Sequence, residues 1–89
     1  MTSFKRSEVG PHLFSILREH VEDGIDIKAA STMTGDLSLD SLSVMEILAE
    51  VEDRFGVRMP DETLPELRTV ADVQAALERH LAARGKLSE

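Results

Sequence analysis

The sequence predicts an all-α fold: a small bundle of three main helices plus one short helix, with a long loop between the first and second helices. Three observations support this class. Apolar residues recur at helical spacing in three segments, strand-like alternation is scarce, and 89 residues suffice for one small domain. We expect residues 1–84 to form that domain and residues 85–89 to be a flexible C-terminal tail.

The first helix is predicted to run to about Val21, with an apolar arc that includes Val9 and Leu17. The sequence does not settle where this helix begins, because Pro11 suits the first turn of a helix but not its interior. The helix therefore begins near Ser7, or earlier with a bend.

A long loop is predicted over residues 24–39. Four apolar residues recur in it and are candidates to pin it to the core, namely Ile25, Ile27, Met33 and Leu37. A loop of this length in a compact domain is often functional.

The second helix is predicted to span Ser41 to Phe55. A short helical turn through Leu64 follows, which Pro65 is expected to limit. The last helix is predicted to begin at Thr69, where Thr69 and Asp72 have the spacing of a capping box.

The second helix has two apolar faces on a helical wheel. The predicted core face consists of Val44, Ile47, Leu48, Val51 and Phe55. The opposite face carries an apolar outer strip, formed by Leu42, Met45 and Ala49 and bordered by Glu46, Glu52 and Asp53. The wheel leaves open whether the N-terminal loop buries this outer strip or whether it stays exposed for partners.

Charge and composition exclude several classes of protein. The segment from Gly35 to Glu66 holds nine acidic residues and two arginines, which accounts for the whole net charge of −7. Such a segment repels nucleic acid and attracts basic protein surfaces. The absence of cysteine excludes disulfides and thiolate metal sites. No apolar run is long enough to cross a membrane, so we expect a cytoplasmic protein. We also expect it to be a monomer.

Ser41 stands where the second helix begins, and spacing alone favours a helix cap by Asp40 or Ser41. Nothing supports a serine hydrolase, because no G-x-S-x-G surrounds Ser41, and a base would have to come from one of three histidines. These are His12, His20 and His80. The stretch "DGIDIKAASTMT" lacks the ligand spacing of a calcium loop, so we predict no metal site and no catalytic residue.

Two stretches resemble the acyl carrier proteins: "GDLSLDSLSVMEILAEVEDRFGVRMPDE" over residues 35–62 and "TVADVQAAL" over residues 69–77. The resemblance extends from about Val9 to Leu81, and Asp40-Ser41-Leu42 matches the family's attachment motif. It implies that Ser41 carries 4′-phosphopantetheine through a phosphodiester, which makes the chain a phosphoprotein rather than an enzyme. A phosphopantetheinyl transferase would add the group, whose thiol would hold acyl intermediates as thioesters.

The resemblance also assigns two further sets of residues. Docking on acyltransferase- or ketosynthase-type enzymes with basic patches is assigned to Leu42, Met45, Glu46, Ala49, Glu52 and Asp53. The lining of an acyl cavity is assigned to Ile47, Val51, Phe55, Met59, Leu64, Leu67 and Ala71.

Some residues depart from the family's usual pattern, and they hint at a specialised carrier for polyketide or unusual lipid biosynthesis rather than for bulk fatty-acid synthesis. They are Met33, Ser38, Ser43, Arg54 and Pro65. Two other readings stay open. One is a peptidyl or aminoacyl carrier of non-ribosomal peptide synthesis, which shares the attachment triplet. The other is an unmodified acidic helical module that binds a basic partner.

Overall fold

A computed structural model describes residues 3–88 and confirms the all-α class with three main helices and one short helix. In chain order, the elements are β1 (Phe4–Lys5), α1 (Arg6–His20), α2 (Ser41–Phe55), the 3₁₀ helix η1 (Asp61–Glu66), α3 (Val70–Ala83) and β2 (Leu87–Ser88). Within this described range, no helix combines the length and the apolar character needed to cross a bilayer.

Helix α1 begins at Arg6, which confirms the predicted start near Ser7, and Pro11 lies inside the helix. The Glu8 carboxylate accepts a hydrogen bond from the Lys5 N–H at 3.0 Å, which satisfies one free donor ahead of the first turn. The helix ends at His20, one residue before the predicted limit, and the Val21 N–H still bonds to the Leu17 carbonyl.

Helix α3 begins with the predicted capping box. The Thr69 hydroxyl accepts from the Asp72 N–H at 3.1 Å, and the Asp72 carboxylate accepts from the Thr69 N–H at 3.0 Å. These reciprocal bonds satisfy two donors that the start of a helix leaves free. The capping-box prediction is therefore confirmed.

The short helix η1 is longer than predicted, because it continues past Leu64 to Glu66 with Pro65 inside it. Proline has no N–H to donate, but its fixed φ angle is compatible with a 3₁₀ helix. Backbone hydrogen bonds on either side of Pro65 hold the turn, from Thr63 to Pro60 at 2.9 Å and from Leu67 to Leu64 at 3.1 Å. The predicted end of this helix at Leu64, set by Pro65, is therefore wrong: the helix ends two residues later.

The loop between α1 and α2 is fastened to the segment that leads into α3. The Met33 N–H donates to the Arg68 carbonyl at 2.9 Å, and the Val70 N–H donates to the Ser31 carbonyl at 3.0 Å. Met33 and Leu37 are also fully buried, as the sequence predicts for residues that pin the loop. The loop is therefore held beside the start of α2.

The core lies where the three main helices meet. The predicted core face of α2 is confirmed at Ile47, Leu48, Val51 and Phe55, whereas Val44 is only half-buried. Helices α1 and α3 contribute a matching set of fully buried residues, namely Val9, Leu13, Ile16, Leu17, Val73, Leu77 and Leu81. Burial of each large aliphatic side chain stabilises the fold by about 1.5–3 kcal/mol, and this burial fixes which side of α2 faces outward.

The C-terminal segment differs from the expected flexible tail. Strand β2 pairs in parallel with β1, with Leu87 opposite Phe4, and the Phe4 N–H donates to the Lys86 carbonyl at 2.7 Å. The Lys86 ammonium also donates to the Gly56 carbonyl at 2.6 Å. Local composition cannot reveal these contacts, because the pairing partner lies at the other end of the chain. Glu89 is outside the described residues.

Glu50 joins α1 to α2. Its Oε1 atom lies 3.0 Å from Nε2 of His20, and its Oε2 atom lies 3.6 Å from Nη2 of Arg54. The hydrogen bond with His20 holds the pKa of Glu50 below its ordinary value, and the positive charges of His20 and Arg54 act in the same direction. The ionised Glu50 carboxylate therefore stabilises the contact between the two helices.

Replacement of Glu50 by glutamine tests this contact. A carboxyl group whose pKa is lowered by folding contributes stability that is complete above its unfolded pKa and is lost as the pH falls through the folded pKa. We expect Glu50→Gln to unfold at lower denaturant concentration at pH 7, and the difference from wild type to shrink as the pH falls below about 4.5. Denaturant titrations across the pH range measure this. Glu46→Gln, on an exposed part of α2, is the control, and a pH-independent difference for Glu50→Gln would contradict the assignment.

Candidate functional site

Ser41 is the first residue of α2, and its side chain is exposed. The residue before it, Asp40, caps the helix, because its Oδ1 atom accepts the Ser43 N–H at 2.8 Å. Since Asp40 performs the capping, the fold does not require the Ser41 hydroxyl for this purpose. The structure thus chooses between the two caps that the sequence left open, and it leaves an accessible hydroxyl at the positive end of a helix.

The Asp40 carboxylate is ionised at neutral pH. The backbone hydrogen bond from Ser43, followed by a hydrogen bond with the Ser43 side chain, holds the pKa of Asp40 below its ordinary value. A phosphate ester on Ser41 would therefore have an anionic neighbour. The N–H groups of the first turn of α2 and the helix dipole compensate for that charge, so the local residues fit an exposed phosphodiester.

The outer strip of α2 is exposed, which resolves the question left by the helical wheel. The exposed fractions are 67% for Leu42 and 47% for Met45, and Ala49 is also exposed. Among the described residues, no N-terminal segment covers the strip. An exposed apolar strip of this kind beside Ser41 is typical of a surface that contacts other proteins.

The three acidic residues that border the outer strip are not equivalent. Glu46 and Asp53 are exposed. Glu52 is half-buried, and its Oε2 atom accepts the Met59 N–H at 2.8 Å. Glu52 thus fastens the segment after α2 to the helix, and only one of its oxygens is free for a partner.

A cavity of about 490 Å³ lies beside Ser41, between α2, η1 and the long loop. We call it the front cavity. Its lining is mostly apolar and consists of Thr32, Met33, Thr34, Ser41, Val44, Met45, Leu64, Leu67 and Arg68. A cavity of this size and polarity suits a small apolar ligand that is attached at or near Ser41.

Only two of the predicted acyl-cavity residues, Leu64 and Leu67, line the front cavity. Three others are packed in the core, namely Ile47, Val51 and Phe55, and Ala71 is exposed. The resemblance did not assign Val44 to the cavity, and sequence reasoning missed the loop residues because a loop has no periodicity that predicts a direction.

Met59 lines a second cavity of about 460 Å³ on the other side of Met45, which we call the side cavity. Its floor is apolar and its rim is charged. The residues that line it are Met45, Leu48, Ala49, Glu52, Arg58, Met59, Pro60, Asp61, Glu62 and Leu64.

His12 and His20 interact with residues other than Ser41. His20 bonds to Glu50, and the ring of His12 packs edge-on against Phe4 and Phe55. Within residues 3–88, no three acidic or histidine side chains are grouped closely enough to hold a metal ion.

The fold and the site define a class of protein: a small helical domain that presents a serine at the start of its second helix beside an apolar cavity. Residues 14–77 match a family model described as the phosphopantetheine attachment site. The chain therefore belongs to the phosphopantetheine attachment site family, whose members are carriers rather than catalysts. The predicted prosthetic group, 4′-phosphopantetheine, is the group that defines this family.

Relatives of similar sequence are acyl carrier proteins. The one from Myxococcus xanthus is 39% identical over 70 residues, which cover 75% of this chain and 86% of the relative. The one from Rhodococcus erythropolis is 42% identical over 60 residues, covering 67% and 65%. The meromycolate extension acyl carrier protein of Mycobacterium tuberculosis is 44% identical over 54 residues, covering 61% and 47%. The chain thus spans about half the length of this last relative.

Solved structures confirm the fold. The hexanoyl carrier protein of the actinorhodin polyketide synthase from Streptomyces coelicolor superposes with a TM-score of 0.68 at 25% identity, covering 80% of this chain and 87% of that one. The holo acyl carrier protein from Geobacter metallireducens gives a TM-score of 0.66 at 19% identity, covering 89% and 87%, and supports the fold alone.

Ser38 lies three residues before Ser41 and has a φ angle of +56°, a value that favours glycine. Glycine adopts this backbone conformation without the strain that the Cβ of serine introduces. We expect Ser38→Gly to stabilise the protein by about 0.5–1 kcal/mol, because relief of the backbone strain exceeds the added entropy of the unfolded chain. Urea unfolding measures the change. Thr34→Gly, at an exposed turn position without a positive φ, should destabilise instead; equal effects of both changes would refute the explanation.

Proposed function

We propose that this chain is an acyl carrier protein whose Ser41 hydroxyl is esterified to 4′-phosphopantetheine. The observation that carries the proposal is the exposed Ser41 side chain at the first position of α2, with the cap supplied by Asp40. When attached, the prosthetic group supplies a thiol that holds acyl intermediates as thioesters. The chain itself has no cysteine, so this thiol is the chemistry that it lacks.

Attachment requires a phosphopantetheinyl transferase and coenzyme A. The Ser41 oxygen attacks the phosphorus that bears the pantetheine, the pyrophosphate bond of coenzyme A breaks, and the nucleotide leaves as the 3′,5′-bisphosphate. The Ser41 proton passes to a base of the transferase. Asp40 holds the helix start in place during this step, and Leu42 offers an apolar contact at 67% exposure.

The front cavity is the proposed shelter for an acyl chain. Its apolar residues Met33, Val44, Leu64 and Leu67 face the position at which the prosthetic group would be attached. Burial of each methylene contributes about 0.8 kcal/mol, so a chain of a few carbons gains enough to spend part of its time inside. Three other residues of the predicted acyl cavity, Ile47, Val51 and Phe55, are packed in the core of the domain.

Partner enzymes are proposed to dock on the outer strip and its acidic border. The apolar side chains of Leu42, Met45 and Ala49 supply contact area, and Glu46 and Asp53 attract basic patches. Exposed charge pairs are individually weak, which permits rapid release of each partner. Proposed partners are the transferase and enzymes of the acyltransferase or ketosynthase type.

The cargo is proposed to be an acyl intermediate of fatty-acid, polyketide or related lipid biosynthesis. The relatives support this class, since their names are acyl carrier protein and meromycolate extension acyl carrier protein, and one similar structure belongs to a polyketide synthase. We further propose that the protein is a cytoplasmic monomer. The alternative cargo, an aminoacyl group, would be distinguished from an acyl group by the mass of the loaded group.

Intact mass spectrometry tests the attachment. After incubation with coenzyme A and a broadly specific phosphopantetheinyl transferase, we expect wild type to gain the mass of one phosphopantetheine group. Ser41→Ala should gain nothing, because it lacks the nucleophilic oxygen. Ser43→Ala is the matched control and should be modified, since Ser43 lies within the same first turn. Modification of Ser41→Ala, or no modification of wild type, would refute the proposal.

Charge reversal tests the docking surface, with the transferase as the probe. We expect Glu46→Lys and Asp53→Lys each to lower kcat/KM for modification by about fivefold at low salt, because one exposed attraction becomes a repulsion. The loss should shrink in high salt, which screens exposed charges. Asp23→Lys makes the same change in net charge at an exposed position before the long loop, and it should have little effect. An equal loss for Asp23→Lys would show that only net charge matters.

A further inference from the structure

The front cavity and the side cavity share two lining residues, Met45 and Leu64. Met45 belongs to α2 and Leu64 to η1, so the boundary between the cavities is made of side chains from two neighbouring elements. The front cavity contains Ser41. The side cavity lies farther along α2 and has Leu48 and Met59 in its apolar lining. The two spaces are therefore adjacent and separated by little more than two side chains.

One of these two side chains is well suited to move. Met45 is 47% exposed, so its neighbours do not enclose it on all sides. Methionine is unbranched, has three rotatable bonds and adapts to irregular spaces. Rotamer changes of exposed side chains occur within picoseconds to nanoseconds. The boundary can therefore open without any displacement of the helices.

We infer that Met45 and Leu64 form a partition that determines how long an acyl chain this protein shelters. A short chain attached through Ser41 fills the front cavity and stops at the partition. A longer chain passes it only when Met45 moves aside, and it then contacts Leu48 and Met59 in the side cavity. This inference rests on the proposed function, because it requires an acyl group on the Ser41 prosthetic arm.

The side cavity suits the end of an apolar chain but not a chain lying along its rim. Leu48 and Met59 are nearly fully buried and supply the apolar floor. Glu52, Arg58 and Asp61 lie on the more polar margin. A methylene chain that stays on the floor avoids desolvation of these charged groups, which burial would otherwise make costly. The chain therefore gains burial only while it remains between Met45 and Met59.

The partition is tested by measuring how well the protein protects thioesters of different chain lengths from cleavage. Acyl groups from butanoyl to hexadecanoyl are loaded from acyl coenzyme A by a transferase, and intact mass follows cleavage of the thioester by hydroxylamine, which leaves the free thiol and an acyl hydroxamate. We expect protection in wild type to rise with chain length and then to level off where the chain reaches the partition. In Met45→Ala and Leu64→Ala, protection should continue to rise with longer chains. Each additional methylene that becomes buried should slow cleavage of the thioester by about fourfold.

Three further variants and one spectrum complete the test. Met45→Leu conserves the volume and should keep the wild-type length dependence, whereas Met45→Phe should level off at shorter chains. Phe14→Ala is the matched control, because Phe14 is an apolar residue of α1 that is 47% exposed, like Met45, but lines neither cavity. In wild type, the methyl NMR signal of Met45 should shift once chains reach the partition, which requires no substitution.

The outcomes distinguish this inference from the proposed function. The same length dependence in wild type, Met45→Ala and Leu64→Ala would overturn the partition, as would a Phe14→Ala effect equal to that of Met45→Ala. Loading of Ser41 without protection at any chain length would overturn the partition and leave the carrier role intact. A failure to load Ser41 at all would overturn both.

Discussion

The bond between the Asp40 carboxylate and the Ser43 N–H is the contact on which the functional site depends. At 2.8 Å, it fixes the first turn of α2 and makes Asp40, rather than Ser41, the residue that caps the helix, by accepting one of its free N–H groups. Ser41 therefore enters the helix with its hydroxyl free and exposed. An ionised cap beside a site for a phosphodiester costs some electrostatic repulsion, which the helix dipole and the free N–H groups of the first turn offset.

Helix α2 serves two surfaces at once because its two apolar faces are separated around the helix. Ile47, Val51 and Phe55 are buried against α1 and α3, and their burial fixes the rotation of the helix about its axis. This rotation points Leu42 and Met45 into solvent. The outer strip is thus exposed as a consequence of core packing, and no separate device is needed to present it. Glu52 adds a tether to the following segment without occupying the strip.

The front cavity exists because the long loop, α2 and the segment around η1 converge next to Ser41. Bonds from the long loop to Arg68 and from Val70 to Ser31 hold the loop against the start of α3. The 3₁₀ helix supplies Leu64 to the lining, and the residue just after the helix supplies Leu67.

The sequence by itself determined the helices, the capping box of α3 and the core face of α2, because these depend on local spacing. The candidate serine came from the resemblance to acyl carrier proteins, since spacing alone favours a helix cap. Periodicity assigns a direction to each residue of a helix, and caps are recognised from neighbours in the chain. The tertiary structure decided which residues line the cavity beside Ser41, that the outer strip is uncovered, and that Leu87 pairs with Phe4. These features depend on contacts between segments far apart in the chain. Local patterns carry no information about such distances, so only the packed fold could determine them.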